Sequence, residues 1–148
     1  MFGGKDSSTT AKNSEYTLNF SYPDWDQKKE NEKQPSDYVY ENKKDGRIFL
    51  SNSFCEEFQD QPLEKLAHKT VSQVTEFKVT KEKYTTFHDR EAYRIEGSGS
   101  VDGVKVVLRL LNTRRNNCYF DFVGITPLSS AKTEDPDYEE FLKTVNFK

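Results

Sequence analysis

The sequence predicts an α+β domain in which an antiparallel β-sheet meander is sandwiched by helices. Three observations carry this. Residues 91–126 hold three runs rich in alternating apolar positions, REAYRIEGSGS, VKVVLRLLN and NCYFDFVGIT, separated by the short turns VDG and TRRN. Residues 60–75 instead repeat apolar side chains at three- and four-residue spacing, the period of a helix packed on one face. The chain then ends as that helix begins, with an Asp-Pro start followed by acidic residues and an apolar stripe.

Size and charge limit the function classes. A chain of 148 residues can bury a core without staples, and with 33% hydrophobic and 14% aromatic residues that core should lean on Phe and Tyr. Charged residues reach 32% but nearly cancel to a net charge of -3, which argues against a nucleic-acid binder or a polybasic membrane-surface module. No apolar run approaches the roughly 18 residues that span a bilayer. Residues 1–14 are rich in Gly, Ser, Thr and Lys and read as a flexible tether ahead of one domain over 15–148. Such a tether suits a lipoprotein whose lipidated Cys has been removed, and equally an ordinary frayed terminus.

The elements follow in order. Tyr16, Leu18, Phe20 and Tyr22 alternate on one face of a first strand that stops at Pro23, with Trp25 as a plug over one end of the core. Residues 26–36 are polar without periodicity and read as a loop. YVYE and RIFLSNSF form a strand pair around NKKDG, where Asp45-Gly46 is a hairpin signal. In the first helix Asp60 or Gln61 can cap, Pro62 suits the first turn, and Glu64 places charge near the amino end. Its stripe is Leu63, Leu66, Ala67, Thr70, Val71 and Val74, so an acid at Val71 should unfold the protein. FKVTKEKYTTF is a further strand, turned by HDRE into the meander. In the last strand Cys118, Phe120 and Phe122 share one face, with Tyr119, Asp121 and Val123 on the other. Asp135 caps the closing helix, Pro136 opens it, and Tyr138, Phe141, Leu142 and Val145 form its apolar face.

YTLNFSYPDW, the Ala-Tyr-Arg strand with its Asp-Gly hairpin, the Tyr-Phe-Asp-Phe strand and the closing FLKTVNF together resemble the PsbP-like family. That family shares its fold with the nuclear Ran-binding protein and with bacterial lipoproteins of the DcrB type. The resemblance spans Tyr16 to Lys148. It implies an α/β/α sandwich and a non-enzymatic accessory or binding module that docks on a larger complex. It brings no catalytic residues.

Chemistry-bearing residues are few. Cys55 and Cys118 are the only cysteines. In an oxidising compartment they would form one disulfide worth about 4 kcal/mol, and in a reducing one they would be two separate buried thiols. His68 and His88 read as surface histidines, because no His pair or Cys-His cluster has ligand spacing. No catalytic site, cofactor or metal is expected. GSGS at 97–100 reads as a flexible or bulged strand end. Asp121 reads as an outer, solvated or helix-capping residue, or else as a polar group in a shallow cleft with Tyr119, Tyr93 and Arg109. Lys43, Lys44 and Arg47, with Arg114 and Arg115, should sit at hairpin tips, either solvated or as a basic rim that docks an acidic partner. The expected function is therefore a non-catalytic, exported and lipid-anchored binding module, monomeric, with a protein partner or small ligand. The alternatives are a cytosolic adaptor that regulates a GTPase or assists secretion and, more distantly, a small hydrolase using His88, Asp89 or Asp121.

Overall fold

The alternating runs become the centre of a seven-stranded sheet. The computed structural model describes residues 15–28, 36–55 and 61–148. The chain forms β1 (Tyr16–Leu18), β2 (Trp25–Lys28), β3 (Tyr38–Asn42), β4 (Ile48–Phe54), α1 (Leu63–Val71), β5 (Thr75–Phe87), β6 (Arg90–Val101), β7 (Val104–Arg115), β8 (Cys118–Pro127), α2 (Pro136–Lys143) and β9 (Val145–Phe147). The sheet order is β2-β3-β4-β8-β7-β6-β5, and every neighbouring pair is antiparallel. A separate ribbon pairs β1 with β9. The expected tether over 1–14, the Asp60 cap and most of the expected 26–36 loop lie outside the described residues.

Three two-residue turns build the meander. Asp102 and Gly103, Asn116 and Asn117, and His88 and Asp89 all have positive φ, the geometry whose twist matches that of the flanking strands. The turns are therefore tighter than the sequence suggests. Arg114 and Arg115 fall inside β7, paired with Tyr119 and Cys118, and are not at a tip.

Alternation sends side chains to two cores. On one face α1 lays Leu63, Leu66, Ala67 and Val71 over Ile95, Leu108, Leu110, Val123 and Ile125. On the other, α2 and the β1–β9 ribbon cover Phe49, Leu111, Phe120 and Phe122 with Tyr138, Phe141, Tyr16 and Val145. The helix-sheet-helix sandwich is thus present, and its second core is the aromatic one. Trp25 stacks on Phe49 with centroids 4.2 Å apart. It plugs the core from the start of a short strand whose next three residues, 26–28, the sequence suggested as loop, because β2 pairs with β3 along the sheet edge. The first strand is shorter than its alternation implies: Phe20 is buried beyond its end, while Tyr22 is 40% exposed.

Gly97 and Gly99 do not end β6; it runs through them in continuous register with β7. The irregularities lie opposite, in β5, between Thr75 and Lys78 and between Val79 and Lys81. A Cβ at Gly97 would sit 2.2 Å from the Lys78 carbonyl oxygen and 2.5 Å from the Phe77 ring, so glycine there permits the close approach of the bulged strand. The α1 cap also differs: Pro62 is the N-cap residue, with no side-chain cap bond, and Gln61 does not cap. In α2 the Asp135 carboxylate accepts from the Tyr138 amide at 3.3 Å, as its sequence indicates.

Cys55 and Cys118 form a disulfide across a sequence separation of 63, just beyond the end of β4 and at the start of β8. Closing a loop of that length stabilises the fold by about 4 kcal/mol in the chain-entropy estimate.

Candidate functional site: a charged cleft beside the second helix

On the α2 face, the segment leading into α2 stands off β5, β6 and β7 and leaves a cleft of about 590 Å³. Strand alternation aims Lys81 and Lys83 of β5, Arg94 and Glu96 of β6, and Arg109 of β7 into it, facing Asp135 and Glu139. These charges hold one another in place. Arg109 Nε lies 2.7 Å from Glu96 Oε2, and its Nη2 donates to the Lys132 carbonyl at 3.0 Å. Arg94 Nη2 meets Glu139 Oε2 at 2.6 Å, and Lys81 Nζ lies 3.6 Å from Glu96 Oε1. Lys83 is exposed and has no ion-pair partner among the described residues.

A smaller hollow of about 250 Å³ adjoins the cleft and shares Arg109 and Asp135 with it. Arg47 governs this side. Its guanidinium meets Asp135 Oδ1 and Asp137 Oδ2, each at 2.9 Å, and Asp45 Oδ2 at 2.8 Å, while lying over the Trp25 ring. Burial pulls its pKa down, but Asp135, Asp45 and Asp137 together hold it above the ordinary value. Asp135 thereby joins the hairpin, the sheet and the start of α2. The buried Thr126 hydroxyl has no hydrogen-bond partner among the described residues, and Thr126 lines the same hollow.

The remaining predicted site residues scatter. Of the basic group around the β3–β4 turn, Lys43 and Lys44 are exposed and pair with Asp26 and Asp24, whereas Arg47 is drawn inward. Arg114 donates to the Gln61 carbonyl, and Arg115 donates to the His88 carbonyl and lies over Phe147, so the two diverge. Arg109 and Tyr93 face opposite layers and do not share a cleft.

Tyr119 and Asp121 are not on an exposed face. Their parity is as expected, but α1 covers that face, leaving Asp121 2% and Tyr119 5% exposed. They belong to a polar row that crosses the sheet beneath α1: Asn52, Asp121, Asn112 and Tyr93 are successive register partners. Asn112 donates to the Leu63 carbonyl at 3.0 Å and to the Tyr119 hydroxyl at 2.9 Å. Burial raises the Asp121 carboxyl to about 7, opposed by hydrogen bonds with Tyr119 and Thr70. A neutral Asp121 can donate to Thr70 while Thr70 donates to the Leu66 carbonyl, the bond present at 3.1 Å.

His88 sits in the β5–β6 turn with its ring edge-on to Phe87 and Phe147, and so lies away from the buried, α1-facing Asp121. The His88, Asp89 and Asp121 set does not converge into one site. Another convergence was not expected. Glu64 and His68 of α1 meet Glu82 of β5, with Tyr93 donating to the Glu82 carboxylate. The i, i+4 spacing of Glu64 and His68 was visible in the sequence; the strand-borne third member was not.

No family model matches the sequence, nor does any curated relative. The structure is similar to LpqN of Mycobacterium tuberculosis, involved in cell envelope biogenesis, with a TM-score of 0.68 and 11% identity over 90% of this chain and 83% of that one. It is also similar to cyanobacterial PsbP from Synechocystis, with a TM-score of 0.58 and 10% identity over 99% of this chain and 98% of that one. A third similar structure is a putative regulator from Pseudomonas aeruginosa, with a TM-score of 0.54, 13% identity, and coverage of 81% and 78%. At such identities the likeness is one of fold, and it places this α+β sandwich beside that of PsbP.

Proposed function

We propose that this chain is a non-catalytic accessory module of the PsbP-like kind, working in the cell envelope and docking on a larger complex through the α2-side cleft. The cleft carries the reading. Its volume of about 590 Å³ is within the range of binding sites, and its rim mixes cations and carboxylates on rigid strands. Fixed pairs such as Arg109–Glu96 and Arg94–Glu139 make a preorganised charge pattern that selects a partner and sets its register. Lys83, with no ion-pair partner among the described residues, offers a carboxylate-bearing segment its first contact. The disulfide supports an oxidising compartment and speaks against the cytosolic adaptor. The fold of LpqN, a protein involved in envelope biogenesis, adds analogy and no more.

In this reading the partner is a protein or a small charged ligand that it presents, and nucleic acid plays no part. The module is monomeric, and any membrane attachment runs through a lipid anchor. Gel filtration of mildly solubilised native envelopes tests it. The wild-type chain should elute with a larger complex, and Lys83→Glu should shift it toward the monomer position. Wild-type protein eluting only as a monomer, or an unshifted Lys83→Glu variant, would overturn the reading.

A further inference from the structure

We propose that Glu64, His68 and Glu82 form a mononuclear Zn²⁺ site that ties α1 to the edge strand β5. Glu64 and His68 lie four residues apart, so they rise from one helical face a turn apart. Glu82 reaches them from β5, and one ligand atom from each of the three lies within 4.8 Å of the others. His68 Nε2 is 2.7 Å from Glu82 Oε1. Bond lengths of about 2.0–2.1 Å put tetrahedral ligand atoms roughly 3.3 Å apart, so the His68–Glu82 pair opens slightly and wider pairs close, an adjustment exposed side chains make by rotamer changes.

Three features beyond proximity favour an ion. Two carboxylates share this corner, and among the described residues no lysine or arginine is paired with either. A divalent cation would balance the negative charge of two carboxylates beside one imidazole. The Tyr93 phenol, itself 4% exposed, donates to Glu82 and fixes its orientation, the usual role of an outer-shell group around a ligating carboxylate. The His68 and Glu82 side chains are 43% and 34% exposed, which leaves the fourth position open to water. The donor set narrows the metal to a borderline divalent ion, of which Zn²⁺ accepts a tetrahedral site with one water. An imidazole nitrogen disfavours Mg²⁺ and Ca²⁺, and with both cysteines in a disulfide no thiolate is at hand for softer ions.

Isothermal titration of tag-free, chelator-stripped, oxidised protein with ZnCl₂ tests the site. One ion should bind per chain, MgCl₂ should give no binding, and Zn²⁺ should raise the melting temperature. His68→Ala and Glu82→Gln should each weaken binding at least about tenfold, and Tyr93→Phe by about tenfold. All three should keep the wild-type circular dichroism. Absence of Zn²⁺ binding would overturn the proposal. So would wild-type affinity in His68→Ala, or a loss of binding in His88→Ala equal to that expected for His68→Ala.

Discussion

Asp121→Asn should stabilise this protein, and more so as the pH rises. Asp121 is 2% exposed beneath α1, and burial raises its carboxyl from 3.8 to about 7. The folded state therefore holds the proton more tightly than the unfolded chain does. Stability from the neutral acid is intact below about pH 4, falls as pH rises from 4 to 7, and is fully lost above 7. At about 1.4 kcal/mol per pH unit, the gap corresponds to roughly 4 kcal/mol. Asparagine carries no charge at any pH and can still accept from Tyr119. Urea unfolding of both proteins from pH 4.5 to 8 reads the difference directly. The two should be alike within about 1 kcal/mol at the acid end, with the variant ahead by about 4 kcal/mol at pH 8. For a chain of this size that is on the order of 10 °C in melting temperature. A difference that stays flat with pH would refute the burial of an ionisable group under α1.

Other sites give sharper structural tests. Gly97→Ala should cost about 1–3 kcal/mol in urea unfolding, because its methyl would meet the Lys78 carbonyl and the Phe77 ring. Asp135→Ala removes the α2 cap and the carboxylate shared by Arg47 and Arg109, which keep Asp45, Asp137 and Glu96, at a cost of about 2–3 kcal/mol by thermal or chemical melt. Maleimide labelling in freshly lysed native cells should leave Cys55 and Cys118 unmodified until a reductant is added. Two labelled thiols before reduction would contradict an oxidising compartment.

The meander was legible because period-two alternation and the Asp-Gly turn are local signals. Their register followed from the turns. The α1 stripe was legible for the same reason: Leu63, Leu66, Ala67 and Val71 are all buried. What a neighbouring element covers is not local. The alternation of β8 placed Tyr119 and Asp121 on one face correctly, but only the packing of α1 shows that this face is closed. Arg47 was marked out as a hairpin-tip charge and Arg109 as part of a cleft with Tyr93, Tyr119 and Asp121, and the structure joins the two arginines through Asp135, 88 and 26 positions further along. Such a pairing leaves no trace in spacing. The α1–β5 convergence of Glu64, His68 and Glu82 was hidden similarly, since half its geometry belongs to a strand.

Docking through the cleft is tested most directly by site-specific photo-crosslinking in native cells. A photoreactive residue replacing Lys83 would sit in the cleft, and one replacing Lys69 would sit on exposed α1 in the opposite layer. A discrete higher-mass adduct should form from position 83 and none from position 69. Adducts from position 69 alone, or from neither position, would contradict docking through the cleft.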